Sequence, residues 1–222
     1  MGILDSVKGI PIKECGEGVE VLTPSDFVID PKYFEWSFSD TEEVLLRASV
    51  IEKLNEAKAL LPEGWNFKIW DGYRTLSTQE KVYKNYWDRL KKENPAWDDE
   101  KIRENVEIFV SPASEDVELP SPHNTGGTVD LTLVDENGEE VDMGTPFDEF
   151  TPNSYTDHFK DSLEGSKEAT WHKNRMLLLE TLEELGFKNY YDEWWHFSYG
   201  TQEWASQTGN PIAFYGSIEL LR

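Results

Sequence analysis

Apolar residues recur at helical spacing in three stretches of the chain. Val44, Ala48, Ile51 and Leu54 fall on one face of a helix that Asp40 and Glu43 would open as a capping box and Pro62 would close. Ser77 and Glu80 form a second box ahead of the stripe Val82, Tyr83, Tyr86 and Leu90. Leu178, Leu182 and Leu185 are in register in a third helix, from Ala169 to Leu185, with Gly186 as its stop. Asn94-Pro95 reads as the N-cap and first residue of a short helix running to Arg103.

A period of two marks the strands. Asn66 to Trp70 alternates, and so does Val129 to Val134, where Val129, Leu131 and Leu133 share one face and Asp130 and Thr132 the other. Asn137-Gly138 follows as a hairpin turn, and Phe187 to Tyr199 is aromatic and β-prone. Strands joined by hairpins, with helices grouped elsewhere, predict an α+β fold. Its central sheet is expected to be mostly antiparallel with helices packed around it. No repeat, low-complexity tract or linker divides the chain, so one domain is expected over residues 1–222.

Composition narrows the function classes. Among 222 residues, 21 Lys and Arg face 44 Asp and Glu, a formal charge of −23. Such a surface repels phosphates, which disfavours nucleic acid and anionic lipid and leaves cationic or zwitterionic ligands as the better-tolerated partners. The lone Cys15 cannot pair within the chain. No apolar run approaches a membrane span, and the first residues have neither a basic region nor a continuous apolar one, so a cytoplasmic protein is expected. No obligate protein partner is evident.

Two segments hold residue types that could do chemistry. In Ser121-Pro-His123-Asn-Thr-Gly126-Gly127-Thr128-Val-Asp130, a straight strand would hold His123 and Asp130 about 23 Å apart on opposite faces. The two glycines allow the chain to fold back, so that imidazole and carboxylate could converge on a cation such as zinc. The same residues also describe a turn with a capping Asp. In Glu193-Trp-Trp-His196, odd spacing puts the carboxylate and the imidazole on opposite faces of an ideal strand, so the strand either begins after Glu193 or bends there. Taken alone, this tetrapeptide reads first as an aromatic core strand with an exposed Glu and a satisfied His.

Together the segments resemble the VanX-type D-alanyl-D-alanine dipeptidases, zinc peptidases that share the patterns SxHxxGxxxD and ExxH with the D,D-carboxypeptidases. Ser121, His123, Gly126 and Asp130 carry the first pattern, and Glu193 and His196 the second. Asp71-Gly-Tyr-Arg74 and Met143-Gly-Thr-Pro-Phe-Asp148 match the dipeptidase branch, so the likeness spans about residues 65–200. Thr128 departs from it, where alanine is usual.

The resemblance implies zinc-dependent hydrolysis of D-alanyl-D-alanine, or a similar zwitterionic D,D-dipeptide, by metal-activated water. It implies one Zn2+ per chain held by His123, Asp130 and His196. Glu193 would be the general base, Arg74 the cation facing the oxyanion, and Asp148 the carboxylate for the substrate's ammonium. Ser121 would either bind the substrate carboxylate or orient the loop. Two rivals remain open: a D,D-carboxypeptidase on longer muropeptide stems, and a non-catalytic zinc-binding module on the same scaffold.

Overall fold

Two of the alternating runs become the centre of a sheet. The computed structural model describes residues 3–219. In chain order these form α1 (Ile3–Val7), β1 (Val19–Val21), β2 (Val28–Ile29), α2 (Lys32–Glu35), β3 (Leu45–Arg47), α3 (Ala48–Lys58) and β4 (Asn66–Asp71). There follow α4 (Leu76–Glu93), α5 (Asp99–Phe109), β5 (Thr128–Val134), α6 (Lys167–Glu184), β6 (Lys188–Asn189), β7 (His196–Ser198) and α7 (Gln202–Thr208). A 3-10 turn at Pro122–Thr125 precedes β5.

The architecture is α+β. The main sheet has the order β2-β4-β5-β7-β6, with β2 parallel to β4 and the other pairings antiparallel, so it is mixed at one edge. Phe67, Ile69, Val129, Leu131, Leu133 and Phe197 cluster with Val50, Leu54 and Ala57 of α3 and Leu178 and Leu182 of α6. Burial of each of the larger side chains stabilises the fold by about 1.5 to 3 kcal/mol. A second cluster joins Tyr33 of α2 to Val82 and Tyr86 of α4 and Ile102 and Val106 of α5. Phe147 and Phe150 pack against both clusters.

Three sequence expectations need correction. The helix foreseen from Asp40 begins only at Ala48, because Leu45–Arg47 is drawn into a two-stranded sheet with Val19–Val21. Its first turn is capped from a distance: the Glu17 carboxylate accepts the Ser49 N–H and hydroxyl at 2.5 and 2.9 Å. The second helix is capped by Thr75, whose hydroxyl accepts the Thr78 N–H, rather than by Ser77. Asn94 ends α4 instead of opening the next helix; Asp98 caps α5, which runs on to Phe109. The short polar side chains compete for caps two to four residues apart, and tertiary pairing chooses among them.

A bulge interrupts β4. Ile69 pairs with Leu131, but the next pair is Asp71 with Asp130, so Trp70 is the extra residue. A bulge of this kind re-aims the side chains beyond it, and here it turns Asp71 onto the face of Asp130. On the other side of β5, Asp130 pairs with His196 and Thr128 with Ser198. Asp71, Asp130 and His196 therefore lie side by side across three strands.

Candidate metal centre and active site

His123 reaches the row of Asp71, Asp130 and His196 from the 3-10 turn that Pro122 opens. Gly126, at φ 69°, reverses the chain, and a side chain on Gly127 would meet the Tyr199 carbonyl at 2.6 Å. These are the two positions where only glycine lets the turn lie against the sheet. The turn is tied to the segment after β4: Asn124 donates to the Arg74 carbonyl at 2.5 Å, and the Arg74 N–H to the His123 carbonyl at 3.2 Å. Glu193 lies in the turn before β7, and the strand begins at His196. Glu193 and His196 are thus free of strand alternation, and both line one cavity with His123, Arg74 and Asp148.

Ligand-type atoms of His123, Asp130 and His196 lie within 4.8 Å of one another, and all three residues are buried. Each imidazole is anchored by its outer nitrogen. His123 Nδ1 lies 2.7 Å from the Gly72 carbonyl and 3.0 Å from Asp71 Oδ2, while Nε2 has no hydrogen-bond partner among the described residues. His196 Nε2 lies 3.2 Å from Glu203 Oε2, leaving Nδ1 3.2 Å from Asp130 Oδ1. Asp130 Oδ1 is also without a hydrogen bond among the described residues, whereas Oδ2 accepts from Arg74 at 3.0 Å. The converging N, N and O atoms of three buried side chains, two of the atoms orphaned and the outer faces satisfied, fit a cation of the zinc type.

Ionisation follows the crowding. Burial and Arg74 both push the His123 imidazolium down, yet Asp130 and Asp71 hold it above the ordinary histidine range. Against burial, Glu203 and Asp130 hold His196 well above it. Against burial again, the two imidazoles keep Asp130 well below the carboxylate range.

Glu193 is buried outside the ligand triad, with Oε1 unpartnered among the described residues and Oε2 3.5 Å from His196 Nδ1. Burial raises it well above the ordinary range, and Asp130 and Asp148 add to the rise. Arg74 donates to Asp71 at 2.6 Å, Gln79 at 3.3 Å, the Tyr33 hydroxyl at 3.1 Å and Asp130 at 3.0 Å. A guanidinium has five N–H groups, so these bonds leave one on Nη1.

Asp148 is placed by a loop that α6 and the β7 approach hold fast. The buried Arg175 donates to the carbonyls of Met143, Asn153 and Tyr155, and Trp194 Nε1 to the Thr145 hydroxyl at 2.8 Å. Asp148 itself sits at φ 58°, in the left-handed region that a non-glycine residue occupies only when its surroundings impose it. Its Oδ2 accepts the Tyr33 hydroxyl at 2.9 Å. Burial pushes its carboxyl up to about 7, against the pull of Arg74.

Six of the seven residues singled out in the sequence line or adjoin this cavity. Ser121 does not: its hydroxyl donates to the Pro112 carbonyl at 2.6 Å, and Ser111 lines the wall instead. Asp71, Tyr33 and Glu203 join the site without a signal of their own in the sequence. Asp71 falls within Asp71-Gly-Tyr-Arg74, but Tyr33 and Glu203 lie outside every motif. Thr128 has a place too, since its hydroxyl bonds Ser198 Oγ at 2.9 Å and Ser198 donates to Glu203 at 2.8 Å. Where alanine would leave Ser198 one partner short, threonine extends the hydrogen-bond chain behind His196.

A peptidase family model described as D-Ala-D-Ala dipeptidase matches residues 27–212. A D-alanyl-D-alanine dipeptidase of Synechocystis sp. is 29% identical and covers 95% of each chain. One from Enterococcus faecalis is 33% identical over 60% of this chain and 62% of its own. A vancomycin-resistance D,D-pentapeptidase, VanY, solved as a mutant with Zn(II), superposes with a TM-score of 0.48 at 15% identity, covering 92% of this chain and 90% of that one. Among the described residues no helix is long and apolar enough to cross a membrane. Since the family model spans most of the chain, including both segments that build the cavity, this chain belongs to the D-Ala-D-Ala dipeptidase family of peptidases.

Proposed function

We propose that this chain is a zinc-dependent dipeptidase, one domain over residues 1–222, that hydrolyses D-alanyl-D-alanine to free D-alanine. The observation that carries the reading is the convergence of His123 Nε2, Asp130 Oδ1 and His196 Nδ1, buried and with their outer faces anchored. These three side chains would hold one zinc. When bound, zinc would supply a Lewis acid that polarises the scissile carbonyl and lowers the pKa of water toward about 7.

The chain's own groups do the rest. Glu193 lies beside the triad rather than in it, and its raised pKa suits a carboxylate that takes a proton from water at neutral pH and returns it to the leaving amine. Arg74 keeps its charge at any working pH, and its remaining Nη1 N–H is the donor for the oxyanion of the tetrahedral intermediate. Asp148 receives the substrate's ammonium. Because Tyr33 joins Arg74 to Asp148, the distance between oxyanion and ammonium sites is fixed, and that distance selects the peptide bond next to a free N-terminus. Ser121 orients the metal loop through Pro112.

Turnover of a panel of LL, DL, LD and DD dipeptides, with D-Ala tripeptide beside them, tests the reading. Hydrolysis of the DD dipeptide in strong preference to the tripeptide supports it. Equal turnover of the tripeptide would make the chain a D,D-carboxypeptidase, and no turnover of any peptide by the zinc-loaded protein would leave a binding module.

A further inference from the structure

Asp148 and Phe150 stand on the walls of two cavities, not one. The first, over His123, His196 and Glu193, has a volume of about 20 Å³. The second lies on the other side of Asp148 and has about 340 Å³, within the range of about 300 to 1,000 Å³ typical of ligand pockets. Of these two cavities, the one with room for bulk on a bound substrate lies on the Asp148 side.

Rings form much of the second cavity's wall, with Asn85, Arg89 and Asp148 among them. Trp36 stacks on Phe147 with centroids 5.8 Å apart, and Phe147 on Trp70 at 4.7 Å. Facing them, Phe150 lies against Tyr86 at 4.7 Å and stacks on Phe109 at 5.4 Å. The Arg89 guanidinium covers Tyr86 at 4.5 Å and Phe150 at 5.6 Å, so its charge already has two aromatic partners. Trp36 nonetheless leaves 43% of its surface exposed beside this space, which is unusual for the largest apolar side chain.

We propose that this second cavity is a specificity compartment for a large aromatic side chain on the N-terminal residue of a D,D-dipeptide. The proposal rests on the reading that Asp148 receives the substrate's ammonium. An ammonium on Asp148 lies where the two cavities meet. Of the groups on the adjoining Cα, the carbonyl is committed to the catalytic cavity, and the side chain is left to enter the other. Two walls of rings offer that side chain offset-stacked and edge contacts.

The test compares kcat/KM for D-Ala-D-Ala, D-Phe-D-Ala, D-Ala-D-Phe and D-Glu-D-Ala, using the zinc-loaded wild type and Trp36→Ala. Trp36 lies at the surface, outside the catalytic groups. The wild type should cleave D-Phe-D-Ala at least as well as D-Ala-D-Ala, and D-Ala-D-Phe far less well. Trp36→Ala should lower D-Phe-D-Ala turnover by about tenfold while D-Ala-D-Ala stays within about twofold, because only the larger side chain touches the ring. Turnover of D-Ala-D-Ala without D-Phe-D-Ala would overturn the compartment and leave the dipeptidase reading standing. A preference for D-Glu-D-Ala would make Arg89 the recognition element and overturn the aromatic assignment. Absence of D-Ala-D-Ala turnover would overturn the dipeptidase reading and the compartment with it.

Discussion

The Tyr33 hydroxyl donates to Asp148 Oδ2 at 2.9 Å and accepts from Arg74 Nη2 at 3.1 Å, so a single oxygen couples the two charges proposed to hold the scissile carbonyl and the ammonium beside it. Tyr33→Phe should keep the fold, because the ring stays packed against Phe38 and Phe147. It removes a hydrogen bond to a charged group, on the scale of about 1.5 to 3 kcal/mol. KM for D-Ala-D-Ala should rise by about tenfold or more, and kcat should fall as Arg74 loses its brace. Unchanged kinetics would mean that Asp148 and Arg74 are positioned without this hydroxyl.

Asp148 supplies a test with chemistry on the substrate side. If Asp148 receives the substrate's ammonium, N-acetylation removes that charge and adds bulk at the same end. Wild-type kcat/KM should therefore fall at least about a hundredfold for N-acetyl-D-Ala-D-Ala, and Asp148→Ala should discriminate far less between the two substrates. The pH sign follows from the raised pKa. Below about 7 the carboxyl holds a proton and has no charge to offer, so KM should rise as pH falls through that value. Asp148→Asn should show a high KM with no such rise.

Glu193→Ala should retain zinc and lose most of kcat, since the carboxylate stands beside the triad and not within it. General base catalysis contributes about 10²- to 10⁴-fold, which sets the size of the loss. Metal analysis alongside turnover checks this. Zinc lost together with activity would make Glu193 a ligand.

Glu203 accepts both Ser198 and the outer nitrogen of His196, so it fixes which imidazole nitrogen faces Asp130. Glu203→Gln should weaken zinc affinity by about 10- to 100-fold in a chelator competition, the range for loss of such a partner. Thr128→Ala should give a smaller change in the same direction. Wild-type affinity in Glu203→Gln would show that His196 is oriented by the strand alone.

What the sequence disclosed and what it withheld divide along physical lines. The β5 alternation and the Gly126-Gly127 break were legible because period and backbone freedom are local properties. The cap choices were not: Thr75, Ser77 and Thr78 are all able caps, and only the docking of α4 picks Thr75. Leu45–Arg47 reads as helix until β1 claims it as a strand. In the site, His123, Asp130, Glu193 and His196 stand in recognisable patterns. Asp71 is aimed by a bulge that no spacing announces, while Tyr33 comes from α2, well ahead of the first motif, and Glu203 from α7, beyond the last. Their roles come from the way strands and helices are assembled, and only the three-dimensional structure carries that information.

If one zinc held by His123, Asp130 and His196 makes this chain a D-Ala-D-Ala dipeptidase, activity must follow the metal. The direct measurement is D-alanine release from D-Ala-D-Ala by chelator-stripped protein as zinc is added back in fractions of an equivalent. Activity should be absent at the start, rise in proportion to zinc and level off at about one equivalent per chain. His123→Ala should stay inactive throughout the same titration. Full turnover by the stripped protein, or a titration indifferent to loss of His123, would contradict this role for the metal and its ligands.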